Sequence, residues 1–242
     1  MIYTRLYFLY QWVVVFPIML VITFLTALVT IVGCKLGDGH FWGYWPGRIW
    51  SRATCALCLL PVNVKGRENM EPNKSYVFVA NHQGAFDIFL IYGYLNKSFK
   101  WIMKDSLRKM PFVGDACESA GHIFIDDSGA RGIAASLLKA RRALKDGSSV
   151  VIFPEGSRTL DGKMHRFKKG AFQLALGMNV SIVPITIDGP YKVMKRGTKT
   201  LSPHRLNLTI HPVIEVNNKR EGELERVMAE SREIIASALN EK

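Results

Sequence analysis

Apolar residues are arranged in two different ways along the chain. Residues 6–34 contain no charged side chain, and this run exceeds the roughly 20 apolar residues that a membrane-spanning helix needs. Tryptophan and tyrosine residues follow it, with Arg48 and Arg52 among them, and this mixture is typical of the headgroup layer of a bilayer. Residues 57–61 are apolar again. The pattern predicts that residues 1–61 form a membrane-inserted or interfacial helical segment.

The arrangement of this segment in the membrane stays open at the level of the sequence. A single span followed by an interfacial helix fits the pattern, and so does a helical pair that dips into one leaflet and returns. A secretory signal peptide is disfavoured, because its apolar region is usually shorter and no small-residue cleavage site is evident. Arg5 and Lys35 flank the run on both sides. The larger positive charge after it favours a body on the cytoplasmic face of a bacterial inner membrane or its equivalent.

After residue 62 the pattern becomes that of an α/β domain. Short runs of β-branched and aromatic residues predict strands, and apolar residues at helical spacing predict helices. The predicted strands cover residues 76–80, 99–103, 121–125, 149–153, 180–187 and 206–214. The predicted helices cover residues 85–95, 131–144, 169–177 and 221–239. This alternation predicts one α/β domain over residues 62–242, with a mixed, largely parallel sheet flanked by helices.

The charge of the chain indicates a polyanionic partner. Lysine and arginine total 32 against 20 aspartates and glutamates, which gives a net charge of +12. Nucleic acid, an anionic bilayer and a phosphorylated small molecule all fit such a surplus. The uncharged N-terminal run and the lack of a nucleic-acid-binding motif disfavour nucleic acid. The four cysteines show no disulfide framework, so they are predicted to be thiols in a reducing compartment.

Two loops carry the candidate chemistry, and each follows a predicted buried strand, where open α/β sheets bind their ligands. The first loop, residues 81–87, has His82 at the end of a strand and Asp87 in the first turn of the next helix. The carboxylate can fold back onto the imidazole, fix its tautomer and stabilise the imidazolium that forms on protonation. A pair that only caps the helix is the alternative, and this loop alone does not decide between them.

The second loop, residues 153–158, reads Phe-Pro-Glu-Gly-Ser-Arg. Gly156 permits a tight turn, and Arg158 supplies a fork of donors that matches a phosphate group. An ordinary strand exit with a surface arginine is the alternative. A serine hydrolase that uses Ser157 is disfavoured, because no Gly-x-Ser-x-Gly nucleophile elbow surrounds it.

Together the two loops resemble the signature of the glycerolipid acyltransferases, typified by 1-acylglycerol-3-phosphate acyltransferase. That family has NHxxxxD, then a strand motif ending in arginine, then FPEGSR or FPEGTR, then a Val-Pro-Ile strand. This chain has NHxxxxD at residues 81–87, FPEGSR at 153–158 and Val-Pro-Ile at 183–185. The resemblance covers about residues 62–215. It implies transfer of an acyl chain from acyl-coenzyme A or acyl carrier protein to the sn-2 hydroxyl of lysophosphatidic acid, which makes phosphatidic acid.

The resemblance also implies roles for individual residues, without a cofactor or metal. His82 is the base and Asp87 orients it, while Arg158 holds the acceptor phosphate. Glu155 either holds a glycerol hydroxyl or keeps its loop in shape, and backbone amides near Gly156 meet the oxyanion. The predicted site residues are His82 and Asp87 for catalysis, and Lys104, Glu155, Gly156, Ser157 and Arg158 for substrate binding.

One position departs from the family pattern, because Asp127 stands where the second motif usually has arginine. This leaves the phosphate to Arg158 and Lys104, with Arg131 a few residues on as a substitute, or it indicates another lysolipid as the acceptor. A phospholipid-binding membrane adaptor without catalysis is the alternative function. The basic cluster at residues 163–169 is a candidate face toward anionic lipid or an acidic carrier protein, and a solvated loop fits it equally well. His122 is predicted to be a packing or rim residue.

Overall fold

The computed structural model describes residues 2–125 and 129–240, so Asp127 lies outside the described residues. In the described part, seven strands form one sheet in the order β1-β7-β6-β2-β5-β3-β4. The strands are β1 (Val62–Lys65), β2 (Val77–Ala80), β3 (Phe99–Lys104), β4 (Ile123–Ile125), β5 (Ser149–Ile152), β6 (Ile182–Asp188) and β7 (Leu206–Ile210). Strands β6, β2, β5, β3 and β4 are parallel, and β7 is antiparallel to β6. The predicted mixed, largely parallel sheet is therefore confirmed.

Helices cover both faces of this sheet. In chain order they are α1 (Ile2–Tyr10), α2 (Phe16–Leu36), α3 (Gly39–Trp42), α4 (Trp45–Leu57), α5 (Phe86–Tyr94), α6 (Val113–Ser119), α7 (Ala130–Lys145), α8 (Gly170–Met178), α9 (Pro190–Val193) and α10 (Glu223–Asn240). Side chains alternate across the central strand β2, as the pleat requires. Val77 and Val79 pack with α7, α8 and α10, whereas Tyr76 and Phe78 pack with α4 and α5. Because β2 is buried on both faces, it reads as a continuous apolar run.

The strand predicted over residues 206–214 is shorter than expected. It ends at Ile210, two residues before Pro212, which has no N–H to donate to a ladder. Ile214 then pairs with Ile182 in an isolated antiparallel bridge.

The N-terminal hairpin covers residues 2–57. Its first arm, residues 2–36, is helical throughout. A π-helical turn over Gln11–Val15 joins α1 to α2. It ends two residues before Pro17, whose ring disrupts regular α-helical hydrogen bonding. The chain then reverses, and α4 returns along α2. Trp50 Nε1 donates to Thr23 Oγ1 at 3.0 Å. By length and composition the Arg5–Leu36 stretch is able to cross a membrane. Only 17% of its most apolar part is buried.

Both ends of this hairpin contact the α/β part of the molecule. Near its start, Gln11 hydrogen-bonds the chain at residues 199–201, between β6 and β7. Further along, Phe24 of α2 packs edge-to-face on Phe112 with ring centroids 5.1 Å apart. At its tip, the Tyr92 hydroxyl of α5 donates to the Gly43 carbonyl at 3.0 Å. The first arm therefore lies along the domain and does not project away from it.

Candidate active site

The two predicted loops lie side by side at the carboxyl ends of β2 and β5, which are neighbours in the sheet. Asn81 fixes the exit of β2. Its Nδ2 donates to the Ile187 carbonyl at 2.8 Å, and its Oδ1 accepts from the Ile187 N–H at 2.8 Å. The Asn81 side chain therefore continues the hydrogen bonding between β2 and β6. It leaves the following residue, His82, at the edge of the sheet where ligands bind.

His82 and Asp87 form a close pair, as the spacing predicted. His82 Nδ1 lies 2.6 Å from Asp87 Oδ2. The same oxygen accepts from the N–H groups of Gln83 and Gly84 at 2.7 and 3.0 Å. Asp87 is completely buried at the start of α5, whereas the His82 side chain is 16% exposed. The Asp87 end of the pair is thus held within the protein, and the His82 end is partly accessible to solvent.

The contacts of the pair define the tautomer and the orientation of the imidazole. Burial raises the pKa of Asp87, and the three donors to Oδ2, led by His82, oppose that rise. Because Nδ1 faces a carboxylate, it carries the ring proton, and Nε2 keeps its lone pair. The ring plane is fixed by Phe153, which stacks on His82 with centroids 4.0 Å apart and planes 7° apart. Such an imidazole can accept a proton at Nε2.

Glu155 ties the second loop to the first. Its Oε1 accepts from the His82 N–H and its Oε2 accepts from the His165 N–H, both at 2.7 Å. Burial raises the pKa of Glu155, and the bonds from these two N–H groups lower it. On the other side of His82, the Thr159 N–H donates to the His82 carbonyl at 3.0 Å. Both oxygens of Glu155 are engaged with backbone, which favours the loop-shaping role over contact with glycerol.

Gly156 makes the tight turn that its residue type predicted. Its φ is 75°, a left-handed conformation in which a side chain is strained. Its N–H donates to the Phe153 carbonyl at 3.0 Å, so this particular amide has no proton left for an oxyanion. A Cβ here would lie only 2.8 Å from Nζ of Lys168. The turn therefore brings an ammonium group against the loop, and the sequence singled out Lys168 only as one member of a basic cluster.

The remaining predicted residues border the same edge. Arg158 and Ser157 are partly exposed on the second loop. Lys104 is exposed at the carboxyl end of β3, where the register pairs Trp101 with Val151 and so brings Lys104 level with the start of the second loop. Among the described residues, Ser157 has no hydrogen bond to a histidine, which gives the hydrolase reading no support.

His122 is a packing residue, as predicted. Its Nδ1 accepts from the Trp101 N–H at 3.2 Å, and its Nε2 lies 3.4 Å from the Tyr92 hydroxyl. Burial and then the nearby Lys100 lower the pKa of His122 to about 3. It is therefore a neutral residue whose two ring nitrogens contact Trp101 and Tyr92.

Similarity to known proteins agrees with this geometry. Residues 61–188 match the family model described as Acyltransferase. A 1-acyl-sn-glycerol-3-phosphate acyltransferase of Chlamydomonas reinhardtii is 35% identical over 193 residues, which cover 79% of this chain and 56% of the relative. One from Borreliella burgdorferi is 30% identical over 183 residues, with 76% and 73% covered. This chain thus spans little more than half the length of the algal relative.

A solved structure is similar over almost the whole chain. It is the crystal structure of the 1-acyl-sn-glycerophosphate (LPA) acyltransferase PlsC from Thermotoga maritima. The TM-score is 0.82 and the sequence identity is 27%, and the match covers 99% of this chain and 96% of the other. With the family model and the bacterial relative, it confirms the family resemblance carried by the two loops. The chain belongs to the acyltransferase family, among its glycerolipid acyltransferases.

Proposed function

We propose that this chain transfers a fatty acyl group from a thioester to the sn-2 hydroxyl of lysophosphatidic acid, which gives phosphatidic acid. The observation that carries the proposal is the buried Asp87 carboxylate, 2.6 Å from His82 Nδ1, while His82 Nε2 has no hydrogen bond within the described residues. The names of the algal and bacterial relatives support the same acceptor. A membrane adaptor without catalysis would have no use for an oriented base.

In the proposed reaction, His82 Nε2 removes the proton from the acceptor hydroxyl as the hydroxyl oxygen attacks the thioester carbonyl carbon. The tetrahedral intermediate then collapses, and its carbon–sulfur bond breaks. The imidazolium returns the proton to the leaving thiolate. Asp87 stabilises the imidazolium between these two steps. Because a thioester is already activated, the scheme needs neither an acyl-enzyme nor a cofactor.

Arg158 and Lys104 hold the phosphate of the acceptor in this proposal. Arg158 lies on the second loop, which follows β5, and Lys104 lies at the end of β3. Strands β3 and β5 are adjacent in the sheet. An anchored phosphate fixes the hydroxyl in attacking geometry at His82. Gly156 and Ser157 form the floor of the acceptor site, and Glu155 keeps the two loops together. Since Asp127 replaces the usual arginine, these cations carry the larger share of phosphate binding.

The two-part organisation of the chain is also part of the proposal. Residues 1–61 form the membrane-inserted segment and residues 62–242 form the catalytic domain. The apolar first arm is largely unburied, yet it touches the α/β part at Gln11 and Phe24, and the tip of the hairpin touches it at Gly43. These contacts favour a hairpin that enters one leaflet and returns over a helix that spans the bilayer. The domain then lies on the cytoplasmic face, where the lysolipid substrate enters it from the bilayer.

The acyl donor is a coenzyme A thioester or the thioester of acyl carrier protein. Lys163, Arg166, Lys168 and Lys169 are all exposed beside the second loop. Such a cluster fits either the phosphates of coenzyme A or an acidic carrier protein. The choice between the two donors is made by experiment.

The test is release of free coenzyme A from palmitoyl-coenzyme A by the purified protein in detergent. Lysophosphatidic acid, glycerol 3-phosphate and a lysophospholipid without a terminal phosphate serve as acceptors, each with the wild type and His82→Ala. Release that requires lysophosphatidic acid and vanishes in the variant supports the proposal. Acceptor-independent release would instead indicate a hydrolase. Silence with both coenzyme A and carrier-protein thioesters would leave the adaptor.

A further inference from the structure

A hairpin at the rim of the site carries an arginine that the scheme above does not use. Residues 193–202, termed the Arg196 hairpin, connect α9 with the segment before β7. At its tip, the N–H and Oγ1 of Thr198 donate to the Lys195 carbonyl at 3.1 and 2.8 Å. Gly197 takes a φ of 85°, the positive angle that the third residue of a type II turn requires. Arg196 occupies the corner of this closed turn.

The Arg196 hairpin is held in place from outside the turn. The Ser202 N–H donates to the Val193 carbonyl at 2.8 Å, which joins its two legs. Gln11, in the π-helical turn of the membrane segment, binds the second leg through both ends of its amide. Its Nε2 donates to the Lys199 carbonyl at 2.6 Å, and its Oε1 accepts from the Leu201 N–H at 2.9 Å. The position of Arg196 is thus determined by backbone contacts on both sides.

From this corner Arg196 reaches the catalytic loops. Its guanidinium Nη1 donates to the Arg158 carbonyl at 3.0 Å. That carbonyl shares a peptide unit with the N–H of Thr159, which donates to the His82 carbonyl at 3.0 Å. With ordinary peptide bond lengths, the guanidinium nitrogen lies within about 9 Å of the His82 carbonyl oxygen.

The charges at this rim are not neutralised by the protein. Within residues 2–125 and 129–240, neither Arg196 nor Arg158 has a carboxylate at ion-pair distance. Lys168 adds a third cation close to Gly156. A cation without a carboxylate partner attracts an anion. Arg196 donates one of its five N–H groups to the Arg158 carbonyl, and within the described residues its guanidinium makes no other hydrogen bond.

We propose that Arg196 binds the terminal phosphate of the acceptor together with Arg158 and thereby selects a phosphomonoester. The identity of the acceptor rests on the proposed function. A phosphomonoester carries about −1.5 to −2 charges at neutral pH, and two guanidinium forks match its oxygens in number and geometry. A glycerolipid without phosphate has no group for Arg196 to bind, so the residue contributes nothing to its affinity.

Equilibrium binding in a non-catalytic background tests this proposal without reliance on turnover. Lysophosphatidic acid and monoacylglycerol of the same chain length are titrated in detergent micelles into His82→Ala protein. The same titrations use His82→Ala combined with Arg196→Gln, with Arg196→Lys, or with Lys199→Gln. The last change removes a positive charge from the same hairpin, at an exposed position whose backbone carbonyl still binds Gln11. It is therefore the matched control for net charge.

Arg196→Gln is expected to weaken binding of lysophosphatidic acid by about 10-fold or more, the loss of charge-assisted hydrogen bonds. The affinity of the Arg196→Lys protein for lysophosphatidic acid is expected to lie between those of the His82→Ala background and the Arg196→Gln protein. The affinity of the Lys199→Gln protein is expected to stay within about twofold of the background. Binding of monoacylglycerol stays the same in all four proteins. An unchanged affinity for lysophosphatidic acid in Arg196→Gln, or an equal loss for both lipids, would overturn the proposal. If binding depends on Arg196 but wild-type protein transfers no acyl group, the proposed function fails and the phosphate site stands.

Discussion

The two carboxylate oxygens of Asp87 have very different surroundings. Oδ2 accepts from His82 Nδ1 and from the N–H groups of Gln83 and Gly84. Oδ1 is buried and has no hydrogen-bond partner among the described residues. Because the two N–H groups cannot accept, any side chain at residue 87 must present an oxygen at the Oδ2 position. An asparagine would therefore keep its amide oxygen toward His82 and remove the charge.

Asp87→Asn thus separates charge from tautomer at His82. We expect kcat to fall by about 10²–10⁴-fold, because the imidazolium loses its counter-charge. We also expect the free energy of unfolding to drop by about 1–3 kcal/mol, because the new amide NH₂ is buried without a partner. Coenzyme A release and thermal unfolding measure the two effects. A kcat within about tenfold of the wild type would show that the carboxylate charge is not needed.

His122 gives the fold a pH dependence of its own. Its pKa falls from 6.5 to about 3 on folding, through burial and the proximity of Lys100. Below pH 6.5 the unfolded chain therefore binds a proton that the folded chain does not, so stability is complete above this pH and falls as the pH drops toward 3. The expected loss is about 2 kcal/mol by pH 5. Unfolding of the wild type and His122→Gln at pH 7 and pH 5 measures it.

Glutamine is the suitable replacement, because its amide offers an acceptor to the Trp101 N–H and a donor to the Tyr92 hydroxyl. The variant should lose less stability between these two pH values than the wild type does. Equal pH dependence in the two proteins would mean that the pKa of His122 does not fall on folding.

At the scale of elements, the sequence predicted the strands and helices whose own residues form a clear apolar run or a helical period. The central strands β2 and β5 are buried on both faces or nearly so, and their β-branched and aromatic runs are visible without a structure. The helix α7 has clear helical periodicity. Strand β1 and helix α6 were not predicted, because β1 is a four-residue strand with alternating burial at the sheet edge and α6 has only seven residues. Short elements of this kind depend on their neighbours more than on their own sequence.

The same distinction holds for the site. His82, Asp87 and the second loop are close in sequence or fixed by a signature, so their proximity could be predicted. The tie between Gln11 and Lys199, and that between Arg196 and Arg158, join segments 188 and 38 residues apart. Such contacts depend on how the N-terminal hairpin packs on the domain. A glutamine inside an apolar helix was the one local signal, and its meaning needed the fold.

Removal of the Gln11 contact should loosen the Arg196 hairpin. Gln11→Leu leaves the Lys199 carbonyl and the Leu201 N–H without their partner, at a cost of about 1–3 kcal/mol to local order. Amide hydrogen exchange over residues 195–203 should then accelerate by about 10-fold or more. Thr23→Val, which removes a hydroxyl elsewhere on the same arm, is the control. Unchanged exchange in Gln11→Leu would mean that the hairpin is held by its own turn alone.

At the scale of the whole molecule, the proposed one-leaflet hairpin differs from a span in where its ends lie. Arg5 and Asp38 stand near the two ends of the apolar arm, and both are exposed. In a hairpin that enters one leaflet, both positions stay on the side of the catalytic domain. In a span, one of them crosses to the opposite side of the bilayer.

Labelling in sealed vesicles distinguishes the two arrangements. Single cysteines at Arg5→Cys and Asp38→Cys, in a background without the four native cysteines, are exposed to a membrane-impermeant maleimide. We expect both to react from the side on which the catalytic domain is digested by added protease. Reaction of only one of them from that side would indicate a transmembrane span and contradict the hairpin.

The most direct test of the central claim is identification of the lipid product. Wild-type protein and His82→Ala are incubated with isotopically labelled palmitoyl-coenzyme A and lysophosphatidic acid, and the lipids are analysed by mass spectrometry. We predict labelled phosphatidic acid with the wild type and a fall of about 10²–10⁴-fold in its rate of formation with the variant. Labelled free palmitate without phosphatidic acid, or undiminished product from His82→Ala, would contradict the account.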